Sequence, residues 1–282
     1  MALQLQAASR ESLAEAETRL DSRVDAASVT ELQTLGEQLF SVMRLLLGEP
    51  TLRRHLADSS VPAANRSQLA DQLLNGQVGR AALDTVSDLV SGRWSRPSDL
   101  VEAVEVLARR ATLGVAEKDG SLDDVEDELF RFGRILDREP KLTGLLVDPG
   151  NPADGRVALL DQVLGGTTEG QSKVSPVTRA LLEQTVRTPR GRSLDLAAEE
   201  LAELAAARRD RYVAHVGTPV ALTSQQEQQL TDSLSRLYGR RMSLQIELDP
   251  TLLGGLLVRV GGEVIDGSVS SRLRAAKRSL PS

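Results

Sequence analysis

A 31-residue stretch of this chain recurs in altered form. The run RLLLGEPTLRRHLADSSVPAANRSQLADQLL (Arg44 to Leu74) returns 90 positions later as RILDREPKLTGLLVDPGNPADGRVALLDQVL (Arg134 to Leu164), with 14 identities and no gap. Pro50 matches Pro140, Asp58 matches Asp148, Pro62 matches Pro152, and upstream Leu39-Phe40 matches Leu129-Phe130. A duplication must be accommodated by any fold proposed for the chain. A 90-residue offset is too long for one unit of a common solenoid, so each copy is expected to be a small bundle of its own.

Both copies carry a helical pattern. Leu32, Leu35, Leu39, Met43 and Leu46 recur every three to four residues, the spacing of one helix face. Gly48 and Pro50 break that run, and further helices are expected from about Pro62, Gly79 and Pro97. The second copy predicts helices over about 122–136 and 152–164, then after Ser175-Pro176 and after Ser193, with a break at Pro140. PSDLVEAVEVLARRATLGVAEKDG (Pro97 to Gly120) sits between the copies. It reads as one long shared helix ended by Gly120.

The pattern changes after about Val213. A broken β-like stretch precedes TSQQEQQLTDSLSRLYG, a helix in which Ser224 and Glu227 form the expected capping box. MSLQIELD alternates as a half-buried strand. The last stretch, DPTLLGGLLVRVGGEVIDGSVSSRLRAAKRSL, holds Gly254, Gly255, Gly261, Gly262 and Gly267. Gly261-Gly262 between two apolar runs predicts a tight hairpin, because such turns need positive φ. Gly254-Gly255 predicts a bulge or a close backbone approach. Asp266 or Ser268 is the expected cap of a following helix. The fold class is therefore mainly α: two tandem helical bundles (1–97 and 98–215) sharing a linking helix, then a small α+β domain (216–282).

Chemistry is sparse. Cysteine is absent and only His55 and His215 could supply imidazole, so no metal site is expected. Net charge is −6 and aromatics are 2% of residues, a composition opposed to nucleic-acid binding. No apolar run reaches the 18 residues of a membrane span, and the acidic start with Glu11, Glu15 and Glu17 is unlike a targeting peptide. GGTTEGQS has Gln171 where a phosphate-binding loop needs lysine, so no nucleotide or other cofactor is expected. The acidic cluster Asp123, Asp124, Glu126, Asp127 and Glu128 reads as a solvated helix face, and DGSVS lacks the glycines of a nucleophile elbow. Trp94 covers a bundle end or anchors a contact. No catalytic residue emerges.

The run Gly-Gly-Leu-Leu-Val-Arg-Val-Gly, then Val-Ile-Asp-Gly-Ser-Val, then Ser-Arg-Leu resembles the C-terminal signature of the ATP synthase delta subunit family, known in mitochondria as the oligomycin-sensitivity-conferring protein. AEKDGSLDDVEDELFRFGRILDREPKLTGLLVDP resembles that family's helical N-terminal domain. The likeness covers about 100–282, and the first copy resembles an extended bacterial form with a duplicated helical domain. It implies a non-catalytic stator subunit of a rotary, proton-translocating ATP synthase, peripheral on the cytoplasmic side of the bacterial cell membrane and not inserted in it. Implied partners are the N-terminal helices of the alpha subunits and the b-type stalk subunits. The implied head-binding groove lies between the first and fifth helices of the second copy, with Val104, Leu107, Ala111, Leu181 and Thr185 as lining. Gly254, Gly255, Gly261, Gly262, Asp266, Gly267, Ser268, Arg272 and Leu273 make up the C-terminal motif and are expected to be structural. A helical protein- or RNA-binding scaffold of another kind is the alternative that the helical copies alone leave open.

Overall fold

A computed structural model of the chain describes residues 5–165, 174–210, 213–238, 242–261 and 263–271. They divide into two compact units, 1–205 and 206–282. The first is helical: α1 (Ala7–Ala26), α2 (Val29–Gly48), α3 (Pro50–Ala57), α4 (Ala63–Leu74), α5 (Arg80–Ser91), α6 (Pro97–Asp119), α7 (Leu122–Arg138), α8 (Pro140–Val147), α9 (Ala153–Gly165), α10 (Pro176–Arg187) and α11 (Leu194–Asp210), the last running across the boundary.

The repeat holds helix by helix. α3 and α8 start and stop 90 residues apart, and α4 and α9 start so. The expected breaks at Pro50 and Pro140 turn out to be helix starts. Each proline stands at a first helical position, where its missing N–H has no intrahelical partner to lose. α1 has a narrow apolar stripe of Leu13, Ala16, Leu20 and Val24, all buried. Ser28 and Glu31 close a reciprocal capping box on α2, and Ser175 caps α10 by accepting from the Thr178 N–H at 3.1 Å.

α6 is the helix that both copies use. It packs on α1, α2, α3 and α5 of the first copy and on α7 and α10 of the second. Apolar residues therefore surround it, as in any helix buried on all sides. Its end is set by Gly120, whose φ of 77° continues the chain in the left-handed region. Two glycines let α6 come close to its neighbours. A Cβ on Gly36 would stand 2.5 Å from Thr112 Oγ1, and one on Gly114 would stand 2.9 Å from Val24 Cγ1. A single hydrophobic core runs through both copies, from Leu5 to Ala205.

Among the described residues, the second unit holds a four-stranded mixed sheet and the helix α12. β1 (Val213–Thr218), α12 (Ser224–Tyr238), β2 (Ser243–Leu248), β3 (Leu257–Val260) and β4 (Glu263–Asp266) give the strand order β2-β1-β3-β4. β1 and β2 are parallel, so the chain must cross over between them, and α12 is that crossover. The other two pairings are antiparallel. The capping box on α12 is Thr223 with Gln226, one residue earlier than the expected Ser224 and Glu227: the Gln226 N–H donates to Thr223 Oγ1 at 3.3 Å, and the Thr223 N–H donates to Gln226 Oε1 at 2.9 Å. Both pairs fit the same sequence rule, and Ser224 is the first helical residue. β2 is an edge strand with Leu244 and Ile246 half-buried and Leu248 exposed. The core of this unit is thin: Ala214, Val216, Leu234, Met242, Val258 and Val260.

Candidate functional site

The glycine-rich stretch builds a backbone clasp. Val260 pairs with Glu263, so β3 and β4 form a tight hairpin whose turn begins at Gly261. Gly261 has a φ of 54°, while Gly262 lies outside the described residues. Before β3, Gly254 and Gly255 hold φ values of 147° and 84°. This conformation brings their backbone against 267–269. The Gly267 N–H donates to the Leu256 carbonyl and the Val269 N–H to the Gly254 carbonyl, each at 2.9 Å. Any Cβ on Gly255 would collide with the Gly267 carbonyl oxygen and reach the Ser268 Cα at 2.9 Å. Asp266 Oδ1 accepts from the Ser268 N–H at 3.0 Å, and Ser268 Oγ accepts from the Ser271 N–H at 3.2 Å. Gly254, Gly255, Asp266, Gly267 and Ser268 thus act on one another. Arg272 and Leu273 lie outside the described residues.

In the helical unit, Val104, Leu107 and Ala111 on α6 and Leu181 and Thr185 on α10 come together as interior positions. All five are buried, and the most exposed is Thr185 at 7%. α2 is a further neighbour of α6. Its Arg44 Nη1 donates to Gln184 Oε1 on α10 at 2.5 Å. Burial there pushes the Arg44 guanidinium below its ordinary value, with the neighbouring Arg187 charge adding to the effect. Arg44 thus links α2 of the first copy to α10 of the second.

Two polar features escape pattern reading. Arg66 and Arg156 occupy the same place in the two copies, and both are buried. Arg66 donates to the Gly92 carbonyl at 2.9 Å just past α5, and Arg156 to the Arg187 carbonyl at 3.1 Å at the end of α10. Each satisfies a carbonyl left over at a helix C-terminus. Their identity across the repeat was the available signal. The second feature centres on Glu105 of α6. Its Oε1 accepts from Arg109 at 2.6 Å and Arg192 at 3.2 Å, and its Oε2 from Arg190 at 2.6 Å and Arg192 at 3.0 Å. Burial alone would raise the Glu105 carboxyl, but Arg109, Arg192 and Arg190 outweigh it and hold the group below its ordinary value. Arg190 reaches it from a positive φ of 52°, so the loop between α10 and α11 is bent onto α6. Nothing in the local spacing joins 105 to 190.

The remaining candidates are quiet. Trp94 is buried under the end of α5 and donates from Nε1 to the Leu89 carbonyl at 2.8 Å. His55 and His215 are exposed. Glu128, from the acidic cluster, accepts from the Ser175 N–H at 3.0 Å at the start of α10. One face of the sheet holds a cleft of about 570 Å³ lined by His215, Gly217, Gln245, Glu247 and Arg259 among others. Among the described residues no group of three or more His, Asp or Glu is placed to hold a metal, and no helix is long and apolar enough to cross a membrane.

Comparison with known proteins follows the same outline. The profile of the family described as ATP synthase delta (OSCP) subunit matches residues 107–280, from within α6 through the second copy and the sheet unit. The ATP synthase subunit delta of Streptomyces griseus subsp. griseus is 46% identical over 98% of this chain and 99% of its own. That of Parafrankia sp. (strain EAN1pec) is 45% identical over 98% and 99%. The ATP synthase subunit b-delta of Mycobacterium sp. (strain KMS) is 44% identical over 98% of this chain, which spans 61% of that longer protein.

Proposed function

Because the chain belongs to the ATP synthase delta (OSCP) subunit family, we propose that its two units make the two separate joints of a stator, the helical unit gripping the catalytic head and the sheet unit gripping the stalk. The subunit is non-catalytic and works in the peripheral stalk of ATP synthase. A stator must hold the head still while the rotor turns within it, so it needs two non-sliding contacts and no reaction centre.

Within this reading the helical unit receives N-terminal helices of alpha subunits, the helix-in-groove mode open to a bundle. The second copy, 98–215, is the head-binding copy, and the first is accessory. The C-terminal domain, expected over 216–282 and holding most of the sheet unit, binds b-type stalk subunits, through which the chain is held at the cytoplasmic face of a bacterial membrane. Its thin core and the exposed Val220, Leu237, Leu248 and Leu253 support a role as a packing surface for partner helices. The observation that carries the reading is the combined match of helical domain and glycine clasp in one chain. The test is bridging. Purified head and purified stalk should co-sediment when this chain is added and not when it is withheld. Equal co-sedimentation without it would contradict the proposal.

A further inference from the structure

The turn between α10 and α11 has a shape that its own sequence does not favour. The Arg192 N–H donates to the Pro189 carbonyl at 2.9 Å and closes a four-residue turn. Its two central residues, Arg190 and Gly191, hold φ values of 52° and 72°. Positive φ at both centres is the type I′ pattern, which prefers Asn-Gly, Asp-Gly or Gly-Gly. Gly191 meets that requirement and Arg190 does not: among the described residues it is the one non-glycine with a positive φ. Such a residue persists where its surroundings impose the conformation. Here the surroundings are two carboxylates of α6. Arg190 donates to Glu105 Oε2 at 2.6 Å and to Glu102 Oε1 at 3.4 Å. Arg192 donates to Glu105 Oε1 at 3.2 Å and to Oε2 at 3.0 Å. The residues on both sides of Gly191 are thus tied to α6, and the bent turn presents both guanidinium groups to one carboxylate.

We infer that the 188–193 segment is a strap closed onto α6 by Glu105, which holds the turn in its left-handed form and so fixes where α11 begins. Without Glu105 the strap has an open alternative, in which Arg190 returns to negative φ and the bond from Arg192 to Pro189 is lost. Arg109, one turn on along α6, donates to Glu105 Oε1 at 2.6 Å and gives the carboxylate a partner that does not depend on the strap. Closure matters to α11 because the turn directly precedes it, and Leu194, Ala198 and Leu201 of that helix lie in the shared core. α11 is also the helix from which the chain passes to β1 of the sheet unit. The strap does not depend on which partner either unit binds, so its failure leaves the stator reading intact.

The test is hydrogen exchange of the full chain at neutral pH, read by nuclear magnetic resonance at the Arg192 amide, with the amides of α7 as internal reference. Arg190→Gln removes the ion pairs of that side chain and is no more at ease at positive φ than arginine. It should speed exchange at Arg192 about tenfold or more while α7 keeps its wild-type rates. Arg190→Asn loses the same ion pairs but tolerates the left-handed region, and should change the rate less than about threefold. Glu105→Gln should match Arg190→Gln. Should it speed exchange throughout α7 as well, Arg190→Gln decides, since it leaves the Glu105–Arg109 pair in place. Wild-type exchange in Arg190→Gln overturns the strap, because the turn then holds itself. Equal acceleration by Arg190→Asn overturns it too, because the turn would then not be set by the backbone conformation that Glu105 imposes.

Discussion

Gly255 shows how much a single missing side chain can decide. Its φ of 84° and the Gly267 carbonyl oxygen beside it exclude any Cβ, so the clasp closes only with glycine there. Gly255→Ala should cost on the order of 2 kcal/mol in the sheet unit, seen as a lower melting transition and weaker stalk binding together. An unchanged melting point would contradict a structural role. Glu105 carries the other residue-level prediction. Removing its charge leaves Arg109 buried without its partner, a loss of about 3 kcal/mol or more for Glu105→Gln by chemical denaturation. Its folded-state carboxyl is depressed, so the stability it lends is complete above the ordinary value of 4.5 and is lost as pH falls through the lower folded value. Wild type should therefore lose stability on acidification over that window more steeply than Glu105→Gln; parallel pH profiles would remove Glu105 from the account. The glycine clasp was legible because glycine patterns are local. The Glu105 cluster was not, because Arg190 and Arg192 lie more than 80 residues away and only the fold brings them to the Glu105–Arg109 pair.

Among elements, α6 tests how helix packing overrides helix propensity. Exchanging Gly for Ala in a helix gains about 1 kcal/mol by propensity alone. At Gly36 the new Cβ would stand 2.5 Å from Thr112 Oγ1, and overpacking costs about 1–3 kcal/mol. Gly36→Ala should then be neutral to destabilising, and Gly36→Leu clearly destabilising by thermal melting. Stabilisation by Gly36→Leu would mean that α2 and α6 do not pack as described. The shared helix itself was legible, since its apolar residues surround it and Gly120 ends it. Helix starts were less so. Thr223 with Gln226 and Ser224 with Glu227 satisfy the same capping rule, and only the hydrogen bonds separate them. Pro50 and Pro140 read equally well as a stop or a start. The five expected groove residues share an apolar pattern that a core and a groove both produce, and sequence spacing does not distinguish them.

At the scale of the molecule, the duplication and the change of pattern near residue 213 were visible in the sequence, and the mainly helical class with a small terminal sheet follows from them. The merging of both copies into one core was not visible, because it depends on which faces of α6 each copy takes. In the proposed reading, the division into two units lets one chain hold two partners at once. The central claim is that the helical unit serves the head and the sheet unit the stalk. The most direct measurement pairs the full chain with a truncation ending at Asp210, each tested by pull-down against purified alpha and purified b-type subunits separately. The account predicts that the truncated chain keeps alpha binding within about twofold and loses b binding by at least tenfold. A truncated chain that lost the head and kept the stalk would contradict it.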